Sequence, residues 1–244
     1  MKNFYILFLM TILSLNCYAQ INFEKGYYIS NGNEKINCFI KNKDWKDNPT
    51  EIEYKLSTES ETKKTTIKSI KEFGIVDKLK YIRTSVKIDR SSNNFNKLSH
   101  NKNPIFKDEI LFLKVLIEGE YKLYEYIERN LRRYFYNKDN SKVEQLIFKL
   151  YETEYGTKYG ENNRFKQQLW TNLKCPTIKI NEIENLKYEK RELVKFFMKY
   201  NNCNSVKITN YDTKQEKDLF NLTFRPHLNY STLKHYRFGS TPLN

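Results

Sequence analysis

The chain has 244 residues, with Lys+Arg 43 against Asp+Glu 29 and a formal charge of +14. Hydrophobic residues make up 39%, below the usual globular share, and aromatics 15%, too many for a disordered chain. Gly 7 and Pro 5 exclude collagen-like, elastic and Gly-rich nucleotide-loop architectures as the main theme, and the length fits one or two domains.

The N-terminus reads as an export signal. Lys2 precedes an uncharged apolar run from Phe4 to Leu15. That run is too short for a membrane helix, which needs about 20 residues. Cys17-Tyr18-Ala19 follows with small residues at the −3 and −1 positions, so residues 1–19 are expected to be cleaved off before Gln20. A lipoprotein would carry its lipid on Cys17, but Asn16 stands where a small residue is expected.

From Ile21 to about Tyr151 the pattern is strand after strand. Tyr27 and Ile29 share a face, and Asn31-Gly32 is a strong hairpin signal. Ile36, Cys38 and Ile40 alternate with polar or outward residues, as do Ile52, Tyr54 and Leu56, then Ile82, Thr84, Val86 and Ile88. Arg90 to Pro104 is rich in Asn and Ser and reads as a long loop. Ile110 to Ile117 is a denser apolar run that suits a central strand, and Gly119 turns it. Tyr121–Ile127, Leu131–Tyr136 and Val143–Phe148 continue as a meander. Hairpins without alternating helices predict an antiparallel sheet or partly rolled barrel over 20–152.

Thr153 to Asn163 is polar and reads as a boundary, opening a helical pair over 153–203. Phe165, Leu169 and Leu173 recur at helical spacing beside Trp170, and predict a helix over 164–174 capped by Asn163 and stopped near Pro176. Asn181-Glu182-Ile183-Glu184 has capping-box spacing. Leu193, Phe196, Phe197 and Tyr200 predict a second helix over 186–201, and both apolar faces are expected to pack on the sheet. Cys175 and Cys203 flank these helices, so an exported chain can bridge them, or leave both thiols free. Cys38 lies at an inward strand position and reads as a small buried apolar residue.

Motifs for chemistry are sparse. There is no G-x-x-x-x-G-K-[ST], no H-E-x-x-H and no G-x-S-x-G, and Asn42-Lys43-Asp44-Trp45 fails the Asn-Lys-x-Asp pattern at its last position. His100, His227 and His235 lack partners at metal-ligand spacing and are expected to be solvated. Glu118, Glu120, Glu125 and Glu128 fall around two strands. They allow an acid/base pair across a cleft, or cross-strand pairing with Lys114, Lys122, Arg129, Arg132 and Arg133. No catalytic, metal or cofactor residues are assigned, and an enzyme is not expected. The basic residues are spread and have acidic neighbours, so nucleic acid is not an expected partner. Asn221-Leu222-Thr223 and Asn229-Tyr230-Ser231 match glycosylation sequons but fall inside an expected strand.

The stretches INFEKGYYISNGNEKINCFIKNKDW, KYIRTSVKIDRSS, KNPIFKDEILFLKVLIEG, NNRFKQQLWTNLKCP and LVKFFMKYNNC resemble an exported family of flavobacteria and relatives. The similarity covers nearly all of residues 20 to 233. In that family a β-rich extension and a Cys-flanked helical pair precede a C-terminal outer-membrane β-barrel. The resemblance implies a fold and a location, with no catalytic residues to carry over. Family members continue for many strands after the helical pair, and Arg129-Asn130 replaces a Gly-containing turn.

Residues 204–244 are expected to hold a linker and the first barrel strand. Between Leu219 and Leu233, Phe220, Leu222, Phe224, Leu228 and Tyr230 alternate with polar residues, which suits a lipid-facing row of a membrane strand. Pro226 interrupts the apolar row and suggests a strand end or bulge. The expected fold class is thus β-rich α+β: an antiparallel β domain, a helical pair and the start of a membrane barrel. The expected protein is an outer-membrane β-barrel protein, here cut short, with a periplasmic N-terminal domain and outer-membrane lipid as partner. The alternative is a soluble periplasmic or secreted binding domain.

Overall fold

The computed structural model describes residues 23–154, 158–203 and 207–212. The export segment and its cleavage point, the strand at 219–233 with Phe220, Leu222, Phe224, Leu228 and Tyr230, both sequons, His227 and His235 lie outside the described residues.

Period-two alternation builds one large antiparallel sheet. Its strands are β1 (Phe23–Ser30), β2 (Lys35–Lys41), β3 (Glu51–Lys55), β4 (Lys63–Thr66), β5 (Ile70–Ile75), β6 (Leu79–Asp89), β7 (Phe106–Glu118), β8 (Tyr121–Glu128), β9 (Leu131–Lys138) and β10 (Glu144–Gln145). They lie in the order β10-β9-β8-β7-β6-β5-β1-β2-β3-β4. β11 (Lys149–Glu154) and β12 (Lys158–Asn162) form a separate hairpin. Helices α1 (Arg164–Asn172), α2 (Ile180–Glu184) and α3 (Lys190–Cys203) follow, and β13 (Thr209–Asn210) returns to pair with β7. The fold is β-rich α+β.

Several expectations need correction. β4 and β5 carry no period-two signal: β4 has no apolar residue, and β5 buries Ile70, Phe73, Gly74 and Ile75 on both faces. The span 143–148 is a strand only at Glu144–Gln145, because Val143 and Leu146 enter different cores. The expected boundary at 153–163 is occupied by the β11–β12 hairpin. Its polar composition suits a two-stranded ribbon, and Gly160 lets the Tyr151 ring cross it: a Cβ there would lie 2.5 Å from that ring. The helical region holds three helices, not two. Asn163 makes no side-chain cap; Asn162 Oδ1 instead accepts from the Arg164 amide at 3.2 Å. The capping contact expected from Asn181 sits two residues earlier, where Glu182 Oε1 accepts from the Lys179 amide at 3.2 Å. In β1 it is Tyr28, between Tyr27 and Ile29, that enters the core.

Three apolar cores use the two faces of the sheet. One lies within the N-terminal wing and collects Tyr28, Ile40, Ile52, Phe73, Tyr81 and Phe112, with Trp45 against it. A second takes Val86, Ile88, Leu113, Val115, Tyr124 and Phe135. β6 therefore feeds two cores from opposite faces, Tyr81 into the first and Val86 and Ile88 into the second. The third core joins Leu116, Leu123, Tyr134 and Tyr136 to the helical residues Phe165, Leu169, Leu173, Leu193, Phe197 and Tyr200. The helical stripe read from the sequence thus packs on the sheet, although Trp170 stays 46% exposed.

Polar side chains fix how these pieces dock. Asn201 on α3 is fully buried; its Oδ1 accepts from the Tyr121 amide at 3.0 Å and its Nδ2 donates to the Tyr121 carbonyl at 2.9 Å. Gly119 makes room for it, since a Cβ there would stand 2.5 Å from Asn201 Cγ. Asn48, in the β2–β3 connection, fills the gap where β7 and β8 diverge. It donates through Nδ2 to Phe112 and Glu125 carbonyls at 2.8 and 3.0 Å and accepts from the Ile127 amide at 2.9 Å.

Candidate functional site

One register row of large side chains crosses the sheet. Tyr28 pairs with Phe73, Phe73 with Tyr81, Tyr81 with Lys114, Lys114 with Glu125, and Glu125 with Tyr134. Directly opposed residues project to the same face. The row is aromatic except at its middle, where a Lys–Glu pair sits between the N-terminal core and the helix-backed core. Local sequence explains both neighbours: Phe112 and Leu116, two residues either side of Lys114, belong to those two cores.

Glu125 is 2% exposed, and Arg132 Nε stands 3.3 Å from its Oε1 without hydrogen-bond geometry. Burial raises the Glu125 carboxyl above the usual carboxylate range, against the pull of Arg132, Lys190 and Lys114. Burial lowers Lys114, with Glu125 opposing. Tyr81 and Tyr134 are both raised, chiefly by burial and then by Glu125. Tyr134 Oη is buried and has no geometric hydrogen-bond partner among the described residues. Desolvation therefore acts against both charges of the pair and brings the acid and the base closer in proton affinity. Lys114 and Glu125 share the row through strand register, and the cation nearest the Glu125 carboxyl is Arg132.

The other acidic residues of this region do not join Glu125. Glu118 pairs with Lys80 at 2.9 Å, Glu120 with Lys138 at 3.1 Å, and Glu128 with Arg90 and the Tyr126 hydroxyl. Lys122 donates to the Asp139 carbonyl. Arg129 occupies the left-handed region at φ 54, which explains why a glycine is expected in that turn, and its amide donates to Asp47 Oδ1. Cross-strand and turn pairing accounts for these residues.

A second buried charge was not legible in the sequence. Arg133 is fully buried and donates through Nε to the Asp89 carbonyl at 2.9 Å and through Nη2 to the Ser91 carbonyl at 2.5 Å. Asp89 Oδ1 accepts from Ser91 Oγ at 2.7 Å and from the Ile105 amide at 3.0 Å, so one carboxylate ties both ends of the long 90–104 loop. Lys149 Nζ donates to the Asn103 carbonyl and anchors that loop's far side. An arginine inside a strand was the available signal, but its partners are backbone groups that no motif announces.

Cys175 and Cys203 form a disulfide with Cα atoms 6.4 Å apart, which ties the α1–α2 connection to the end of α3. Cys38 is buried and free, its thiol pushed up to about 11 by burial, and so is poorly reactive. His100 is exposed, 3.5 Å from Glu152. Among the described residues no cluster of three or more His, Cys, Asp or Glu could hold a metal. A cleft of about 190 Å³ between Tyr121, Tyr136, Lys142 and Asn172 is smaller than the roughly 300–1,000 Å³ typical of ligand pockets. The groove beside the disulfide is shallow, and its Lys195 and Lys199 are paired with Glu192 and Glu182.

No family model, curated protein or solved structure matches this chain.

Proposed function

We propose that the chain is an exported protein of the outer-membrane β-barrel type, whose described β domain sits in the periplasm and carries no catalysis. The observation that carries export is the Cys175–Cys203 bridge, because disulfides persist in oxidising compartments and are rare in the cytosol. It agrees with the apolar run Phe4–Leu15 and the Cys17-Tyr18-Ala19 cleavage pattern. The barrel half of the reading rests on the alternation of residues 219–233 and on outer-membrane lipid as the partner of Phe220, Leu222, Phe224, Leu228 and Tyr230. A strand in lipid must be paired on both edges, so it would be one of several.

Fractionation of the native host tests both halves. The protein is expected in the outer membrane, with heat-modifiable migration and a mature N-terminus at Gln20. Cytoplasmic protein beginning at Met1 would overturn export. Soluble periplasmic protein would favour the second reading, a soluble binding domain. That reading draws support from the described residues, which bury three apolar cores of their own.

A further inference from the structure

β7 outruns its neighbour. β6 pairs with it only as far as Tyr81 opposite Lys114, so Val115–Glu118 present an edge that β6 does not cover. The chain itself fills that edge after α3: Thr209 pairs with Glu118, Asn210 with Ile117, and the Tyr211 amide donates to the Leu116 carbonyl at 2.9 Å. The segment reaches round both faces of the sheet. Ile208 packs against the helix-backed core and Tyr211 against the opposite one. Polar contacts finish the seat: Tyr211 Oη donates to Glu118 Oε2 at 3.1 Å, and Lys190 pairs with Asp212 at 2.7 Å.

We propose that the β7 edge at Leu116–Glu118 is a strand-accepting groove for an extended Ile-x-x-Tyr-Asp segment, which the chain's own Ile208–Asp212 occupies as a latch that opens independently of the sheet. Main-chain pairing supplies affinity to such a groove, and alternate side chains supply its selectivity. The apolar seats for Ile208 and Tyr211 read those two positions, and Lys190 reads the terminal acid. The latch is a two-residue strand in which Thr209 is exposed and Asn210 half-buried, and among the described residues it pairs with β7 alone. Elements of that kind occupy the low-stability end of a fold and open without global unfolding.

Hydrogen exchange on the full chain tests it. The Tyr211 amide should exchange at least tenfold faster than the amides of Leu123 in β8 and Tyr134 in β9. Equal rates at all three would overturn a separate latch. A fluorescent peptide of residues 207–212 then probes the groove in trans. It should bind the Tyr211→Ala variant at least tenfold more tightly than the wild type, whose groove is filled. If the variant shows an unprotected latch and still binds no peptide, the groove is not strand-accepting. Should Tyr211→Ala fail to fold, Tyr211→Phe removes only the hydroxyl bond to Glu118. It should speed latch exchange with unchanged far-ultraviolet dichroism, and no change in latch exchange would count against the proposal.

Discussion

The N-terminal wing and the helix-backed half of the sheet both carry Lys–Glu pairs across strands, with opposite outcomes. In the wing, Glu53 accepts from Lys41 at 2.7 Å and Lys43 at 2.9 Å. Those hydrogen bonds outweigh a small desolvation effect and hold its carboxyl down to about 2. In the helix-backed half, Glu125 lies beneath cover, its Oε1 makes no hydrogen bond among the described residues, and its carboxyl is raised. Identical residue types in identical secondary structure thus titrate in opposite directions. What differs is access to water and to donors. Helices and returning chain exclude solvent from the β7–β9 face, whereas the β2–β3 face keeps two lysines at its rim.

The strongest way to break the contrast is to remove the cover. Phe197→Ala should cost about 3–5 kcal/mol, because a fully buried ring is lost from the core that seats α3. Leu169→Ala should cost about 2–5 kcal/mol by the same argument. Chemical denaturation reads both, and near-neutral values would mean that the helices do not cover the sheet. Replacing Cys175 and Cys203 by Ser releases a 28-residue closure, worth about 3.5 kcal/mol on the loop-entropy model. The loss should be reproduced by reducing the wild type.

The pair itself is expected to behave non-additively. Glu125→Ala empties a buried position beside Arg132 and opposite Lys114 and should cost roughly 1–3 kcal/mol. The double change Lys114→Met with Glu125→Leu should recover most of that, since apolar replacement of charged groups held away from water is often neutral or stabilising. Simple additivity in the double-mutant cycle would show that the two side chains do not interact.

The smallest effect sharpens the sign. Glu53 has a lowered folded value, so its contribution is present above the usual carboxylate pKa of about 4.3 and is lost as pH falls toward 2. Glu125 has a raised folded value, so stability falls as pH rises from about 4.3 through that value. Glu53→Gln should flatten the acid limb, with an effect below about 1 kcal/mol at neutral pH. Glu125→Gln should flatten the limb above it. Slopes of the same sign for both residues would refute the desolvation account.

Much of the architecture was open to reading from local pattern. Alternation at Ile36–Ile40 and Val86–Ile88 marks strands because period two is a property of the strand itself. Phe165, Leu169 and Leu173, with Leu193 and Phe197, mark helices for the same reason at period 3.6. Where both faces are buried, as in β5, or neither is, as in β4, the period vanishes and the strand is silent.

The sequence alone determined the β-rich class, the helical stripe, the buried character of Cys38 and the absence of common catalytic motifs, because each is fixed by residue type and near-neighbour spacing. Tertiary structure decided which polar groups meet. Lys114 opposes Glu125 only through the β7–β8 register, which shifts between Val115 and Ile117. Arg133 finds Asp89 across 44 residues of chain, and Asn48 finds Ile127 across 79. Such contacts depend on register and chain return, which local pattern does not encode, and on the exclusion of water, which only the assembled layers create.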